Sequence, residues 1–145
     1  MTVNYYGLDE KARILIKNQL QRANLLHLED KETQILIKEC HKMRQAIVYG
    51  LERFWGEQLR LESEKKLESA KAKFWADVWD ELVSILNMAE VNLPNHQNIN
   101  TMADQLWDLD RQDQQIALAV LTQLCDALVW WTQRYKFTIG GGNNG

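Results

Sequence analysis

The chain has 145 residues and a mass of 17.0 kDa, the size of one domain that can hold a core without disulfides or metal. Apolar residues make up 46% and charged residues 26%, which excludes wholesale disorder, and the formal charge of −3 excludes a generally basic nucleic-acid binder but not a local basic face. No uninterrupted apolar run reaches the length of a membrane span, and the first ten residues lack the basic and apolar regions of a signal peptide; the expected setting is cytoplasmic, with no membrane partner.

Breakers of regular structure are scarce. There is one proline, Pro94, and only Gly7, Gly50 and Gly56 lie outside the terminal glycine run. Six tryptophans are an unusually high number for this length. No convincing period-2 alternation is present, so the expected fold is all-α: a single-domain, mostly antiparallel bundle of about five helices over residues 1–139. Residues 140–145, Gly and Asn only, are expected to form a flexible tail.

The first helix is predicted from Leu8 to about His27, because Leu8, Ala12, Ile16, Leu20, Ala23 and His27 share one face. Asp30 is a candidate N-cap for the second. In that helix Leu36, Met43 and Gly50 repeat every seven residues, as do Cys40, Ile47, Phe54 and Leu61, giving a seam of about four heptads. Gly50 on such a seam points to close approach by a neighbouring helix. An unbroken helix from Lys31 to Asn92 would be about 90 Å long, against a radius of gyration of about 15 Å for a compact domain, so a break is placed near 62–66.

The third helix is predicted over about Leu67–Val91, with Trp75, Val78, Trp79, Leu82, Leu86 and Ala89 inward, and a loop follows at 92–100 around Pro94. Thr101 with Asp104 reads as a capping box for a short fourth helix, and Asp110 with Asp113 opens a fifth over about Arg111–Phe137. That last helix is apolar on most sides, as befits a central helix or a subunit interface.

The chemistry-bearing motifs are few. No phosphate-binding loop, dinucleotide fingerprint or zinc-binding spacing occurs, and no cofactor or metal is expected. Cys40 and Cys125 read as free core thiols. Arg22-Ala23-Asn24-Leu25-Leu26-His27 has the form R-x4-H and resembles the signature of the HEPN ribonucleases, small all-helical proteins that pair two such motifs across a dimer to cut RNA. The resemblance implies Arg22 and His27 as catalytic candidates; Ala23 departs from the polar residue usual there. Because His27 also continues an apolar stripe, a hydrogen-bonded core histidine is the preferred reading and no enzyme is expected.

Charge is segregated along the chain. Residues 1–73 carry 14 Lys/Arg and 11 Asp/Glu; residues 74–110 carry seven Asp/Glu and no Lys or Arg. Solvated faces of opposite sign explain this most simply. The sharper reading is an acidic docking surface around Asp77, Asp80, Glu81, Asp104 and Asp108; the alternative is a basic stripe of Lys38, Lys42, Arg53, Lys65, Lys66, Lys71 and Lys73 along a nucleic-acid backbone, diluted by interleaved glutamates. Adjacent aromatics on a helix diverge by about 100°, so one narrow stripe cannot bury both members of Phe54-Trp55, Phe74-Trp75 or Trp130-Trp131. The resulting expectation is a non-enzymatic assembly or adaptor module acting through protein–protein contacts, with Trp55, Trp130 and Trp131 as partner-binding residues. A homodimer through the last helix and the Met43–Leu61 seam is expected, and a helical subunit of a nucleoprotein complex is the alternative.

Overall fold

The computed structural model describes the backbone of residues 7–25, 32–61, 66–96 and 98–144, and within these all side chains except those of residues 23–25, 32–33, 66–68 and 136–144. Six α-helices occur among the described residues, with no strand: α1 Leu8–Leu25, α2 Glu32–Ala46, α3 Leu51–Leu61, α4 Lys66–Met88, α5 Ile99–Trp107 and α6 Arg111–Asn144. The fold is all-α. α6 is its centre, packing mainly on α1 and α2 and also touching α3 and α4. Its apolar residues have somewhere to go: Ala117, Leu121, Leu124, Cys125 and Leu128 are buried. Over Arg111–Tyr135 the helix is long and apolar enough, by length and composition, to cross a membrane; only a third of its most apolar stretch is buried, so α6 packs along one side and is not enclosed on most sides. The helix continues to Asn144, past the expected end at Phe137.

The predicted second helix is two helices. The seam residues Leu36, Cys40, Met43, Ile47, Phe54 and Leu61 are all buried, but the helix carrying them turns at a short 3-10 segment, Ile47–Tyr49, ending on Gly50. Gly50 has φ +96°, a left-handed conformation in which a side chain is strained, and its N–H donates to the Ile47 carbonyl at 3.0 Å. No atom lies within 4 Å of where its Cβ would stand, so close helix approach is not the reason for glycine here. The reason is the bend, and it supplies the sixth helix.

The expected break at 62–66 falls largely on residues 62–65, outside the described residues. The flanking helices α3 and α4 pack on each other, as a reversal between them requires. α4 ends in a Schellman turn: Val91 N–H donates to the Leu86 carbonyl at 2.9 Å and Glu90 N–H to Asn87 at 3.1 Å. Glu90 occupies the left-handed position at φ +62°, where glycine is usual. The connection that follows is anchored by buried Val91, Leu93 and Pro94, and the Trp79 Nε1–H donates to the Pro94 carbonyl at 3.1 Å. α5 starts earlier than the Thr101–Asp104 pair suggests. Asn98 is its N-cap, its side chain accepting from Thr101 N–H at 3.0 Å.

Candidate functional site

The predicted partner-binding tryptophans separate sharply. Trp55 is 4% exposed and belongs to the core. Phe54, Phe74 and Trp75 are buried too, so both members of two aromatic pairs are inside. The expectation that one of each must face solvent fails because these helices have more than one neighbour: α4 packs on α1, α3 and α6, and buries an arc wider than the divergence of adjacent side chains. Phe54 meets Trp75 at 4.8 Å and Trp79 at 6.3 Å between ring centroids, while Trp75 reaches the other way to donate its Nε1–H to Glu39 Oε1 at 3.0 Å. Trp131 is half-buried, donating to Asp9 Oδ1 at 3.0 Å and standing 6.4 Å from Tyr135. Trp130 is 48% exposed, edge-on to Trp131 at 4.9 Å and capped by Arg134 at 4.6 Å.

Two members of the predicted acidic face, Asp77 and Glu81, are neutralised from within, while Asp104 and Asp108 are exposed. Asp77 Oδ2 accepts from Arg22 at 2.7 Å, and its Oδ1 lies 3.4 Å from Lys73 Nζ; Glu81 pairs with Lys11 at 3.0 Å. Asp80 is exposed and accepts from Asn95 Nδ2 at 2.9 Å. Among the described members of the basic stripe, Lys38 and Arg53 are exposed and Lys42 lies 3.5 Å from Glu39, while two others face carboxylates across or along the helices. Lys71 turns toward buried Glu39, 3.9 Å away, and Lys73 is engaged by Asp77. Lys65 and the side chain of Lys66 lie outside the described residues, as does His27. Arg22 bridges Asp77 and Gln19, tying α1 to α4.

The two buried thiols sit on α2 and α6. Burial raises both pKa values; Cys125 and Glu39 raise that of Cys40 further while a hydrogen bond with Thr132 opposes them, and Asp126 raises that of Cys125 against the opposing effect of Arg44. Neither is poised as a nucleophile. Among the described residues no group of three His, Cys, Asp or Glu could hold a metal ion.

An aromatic surface that the sequence reading did not single out stands at the bend, beside two of the predicted acidic residues, Asp104 and Asp108. Val48 is 79% exposed, Tyr49 67% and Trp107 81%. Tyr49 and Trp107 line one depression of about 320 Å³, together with Leu51, Leu106 and Leu118. Tyr49, which lies off the seam, stands exposed at the bend before Gly50, and the end of α5 presents Trp107. Asp104, Asp108 and Asp110 lie within three residues of Trp107, all exposed, against one exposed arginine, Arg111. Arg53 stands over the Tyr49 ring at 5.5 Å. The available signal was Trp107 in an amphipathic helix of nine residues, too short to bury all of its apolar members.

Comparison with known proteins gives no match to a protein-family profile, to a curated protein or to a solved structure.

Proposed function

We propose that this protein is a non-enzymatic, cytoplasmic interaction module that docks a protein partner through the Val48–Tyr49–Trp107 surface. One observation carries the reading: two large aromatic side chains, mostly in solvent, share the rim of one depression whose lining mixes leucines with Glu52 and Gln114. Isolated exposed apolar residues are normal; aromatics gathered around a concavity mark a binding surface. Covering Trp107 alone would remove on the order of 150 Å² of apolar surface from water, or about 4 kcal/mol. The acidic residues beside it favour a partner whose apolar anchor is ringed by lysine or arginine. They disfavour a two-fold homodimer here, because such symmetry brings the same acidic rims together.

A homodimer is a second reading, supported at a different place. Met43, Ile47, Phe54 and Leu61 are in the protein's own core, which removes the seam as a contact surface. Half-exposed Trp130 leaves α6 as the candidate. Light scattering at micromolar concentration should then give twice 17.0 kDa, falling to 17.0 kDa in Trp130→Ser. The principal reading is tested by crosslinking from position 107 in the native host. Crosslinked partners should disappear with Tyr49→Ser, persist with Trp130→Ser, and carry basic residues at the crosslinked surface. The same partners with Tyr49→Ser as without it would reject that surface.

A further inference from the structure

The side of α6 that faces away from its helix neighbours is apolar too. Ala117, Leu121, Leu124, Cys125 and Leu128 occupy the packed side, and exposed Gln123 stands opposite them. At about 100° per residue, Ile116 and Trp130 lie within about 20° of Gln123, and Ala119 and Ala127 within about 40°. None of these five is buried, and Trp130 is 48% exposed. Between Ile116 and Trp130 the sequence has a single charge, Asp126, which stands at the margin of this face, held by Arg44 at 2.8 Å. About four turns of helix thus present apolar surface to water, more than a scatter of single exposed residues.

The pattern is symmetric about Gln123. Ile116 and Trp130 lie seven residues to either side, Ala119 and Ala127 four. Farther out, Asp113 lies ten residues before and Arg134 eleven after, with opposite charges. In a helix these two also fall on the same flank of the face, about 80° and about 20° from Gln123. A two-fold axis through Gln123, at right angles to the helix, therefore brings unlike residues together: indole ring on isoleucine, and guanidinium beside carboxylate. A parallel pair would instead set Arg134 on Arg134 and align the two macrodipoles side by side. The alanines beside the axis admit an interaxial distance of about 8 Å.

We propose that α6 pairs with α6 of a second copy, antiparallel and in the register that centres on Gln123. This pairing rests on the homodimer reading and adds the orientation and the residues that set it. Trp130 packs on the partner's Ile116, and Arg134 turns an edge of its guanidinium to the partner's Asp113 while its cation stays over the Trp130 ring. Gln123 carries both an amide donor and an acceptor, so each copy's amide N–H donates to the other's carbonyl oxygen. One polar residue inside an apolar seam specifies register, because any slip buries it unpaired. Lipid is the poorer cover, since it offers that amide no partner.

The test uses single cysteines introduced into the full chain. Cys40 and Cys125 are its only native cysteines and both are buried, so an introduced thiol is the accessible one. Under mild oxidation Gln123→Cys, which meets its own image on the axis, should give a disulfide-linked species of twice 17.0 kDa. Gln133→Cys, exposed on the same helix, should not, because its image stands about 30 Å away. Each dimer holds two Arg134–Asp113 pairs, so Arg134→Glu should weaken association in sedimentation roughly tenfold, and Arg134→Glu/Asp113→Lys should restore it. Gln123, Gln133 and Arg134 are exposed, so these variants keep the fold. A Trp130-dependent dimer that crosslinks equally at 133, or that the double exchange does not restore, would overturn this register while sparing the homodimer reading. A monomer at millimolar concentration, alone or bound to phosphatidylcholine vesicles, would overturn both.

Discussion

Trp75 and Trp107 show how differently one side chain is used in two regions of this molecule. Trp75 sits between α2, α3 and α4, fully enclosed, with its N–H on Glu39 and its ring against Phe54. Glu39 is itself buried, and its second oxygen lies 3.5 Å from Lys42 and 3.9 Å from Lys71. The Trp75 N–H and both Glu39 oxygens thus each have a counterpart. Trp107 has most of its surface in water, at the edge of a depression that the bundle leaves unfilled. The interior region is where substitutions should cost stability; the bend region is where they should cost association and little else. Local packing decides which, since tryptophan supplies the same large ring in both.

The largest effect should come from emptying the interior pair. Glu39→Ala strands the Trp75 N–H and removes the counter-charge facing Lys71, so we expect a loss of about 3–5 kcal/mol in urea unfolding. Glu39→Gln, which retains an acceptor for Trp75, should lose less. A loss below about 1 kcal/mol for Glu39→Ala would show that the enclosed network contributes no more than a surface pair.

A pH titration sharpens the same contrast from the interior side. Both thiols have raised pKa values in the folded chain, so above the usual thiol value of 9.0 the unfolded state releases protons that the native state retains. Stability should therefore be level below that value and fall as pH rises through it. The slope is at most about 1.4 kcal/mol per pH unit for each thiol. The urea midpoint of Cys40→Ala/Cys125→Ala should lack this alkaline component.

The helix end at Glu90 lies outside both regions and should respond in the opposite direction. Glu90→Gly places the residue favoured at a left-handed C-terminal position and should raise stability by up to about 1 kcal/mol, seen as a higher thermal midpoint. The smallest effect is expected at the exposed tryptophan. Trp107→Ser should change unfolding stability by less than about 0.5 kcal/mol, as for surface substitutions generally. A larger loss would move Trp107 into the structural class with Trp75.

Much of the architecture is legible in the residues. Scarce glycine and proline require long helices, and the spacing of Leu8, Ala12 and Ile16, of Cys40, Met43 and Ile47, and of Trp75, Val78, Trp79 and Leu82 identifies buried faces that the structure has. These patterns are local: a helix of 3.6 residues per turn fixes which side chains share a face before any neighbour is considered. The bend at Gly50 is less legible, because heptad periodicity continues through it; the same residues stay buried whether the helix runs straight or folds over.

Which side chain is buried by what was decided by the tertiary structure alone. Sequence spacing treats Trp55, Trp107 and Trp130 alike, yet their exposures are 4%, 81% and 48%. It likewise leaves Asp77, Glu81, Lys71 and Lys73 as free surface charges, whereas helix packing sets each beside an opposite charge. The candidate sites follow the same division. The apolar face around Gln123 is a local pattern, but only the packing of α1 and α2 on the other side of α6 leaves it facing outward. Periodicity records the face a helix must bury, while the identity of the covering surface depends on distant segments whose relative placement no local spacing encodes.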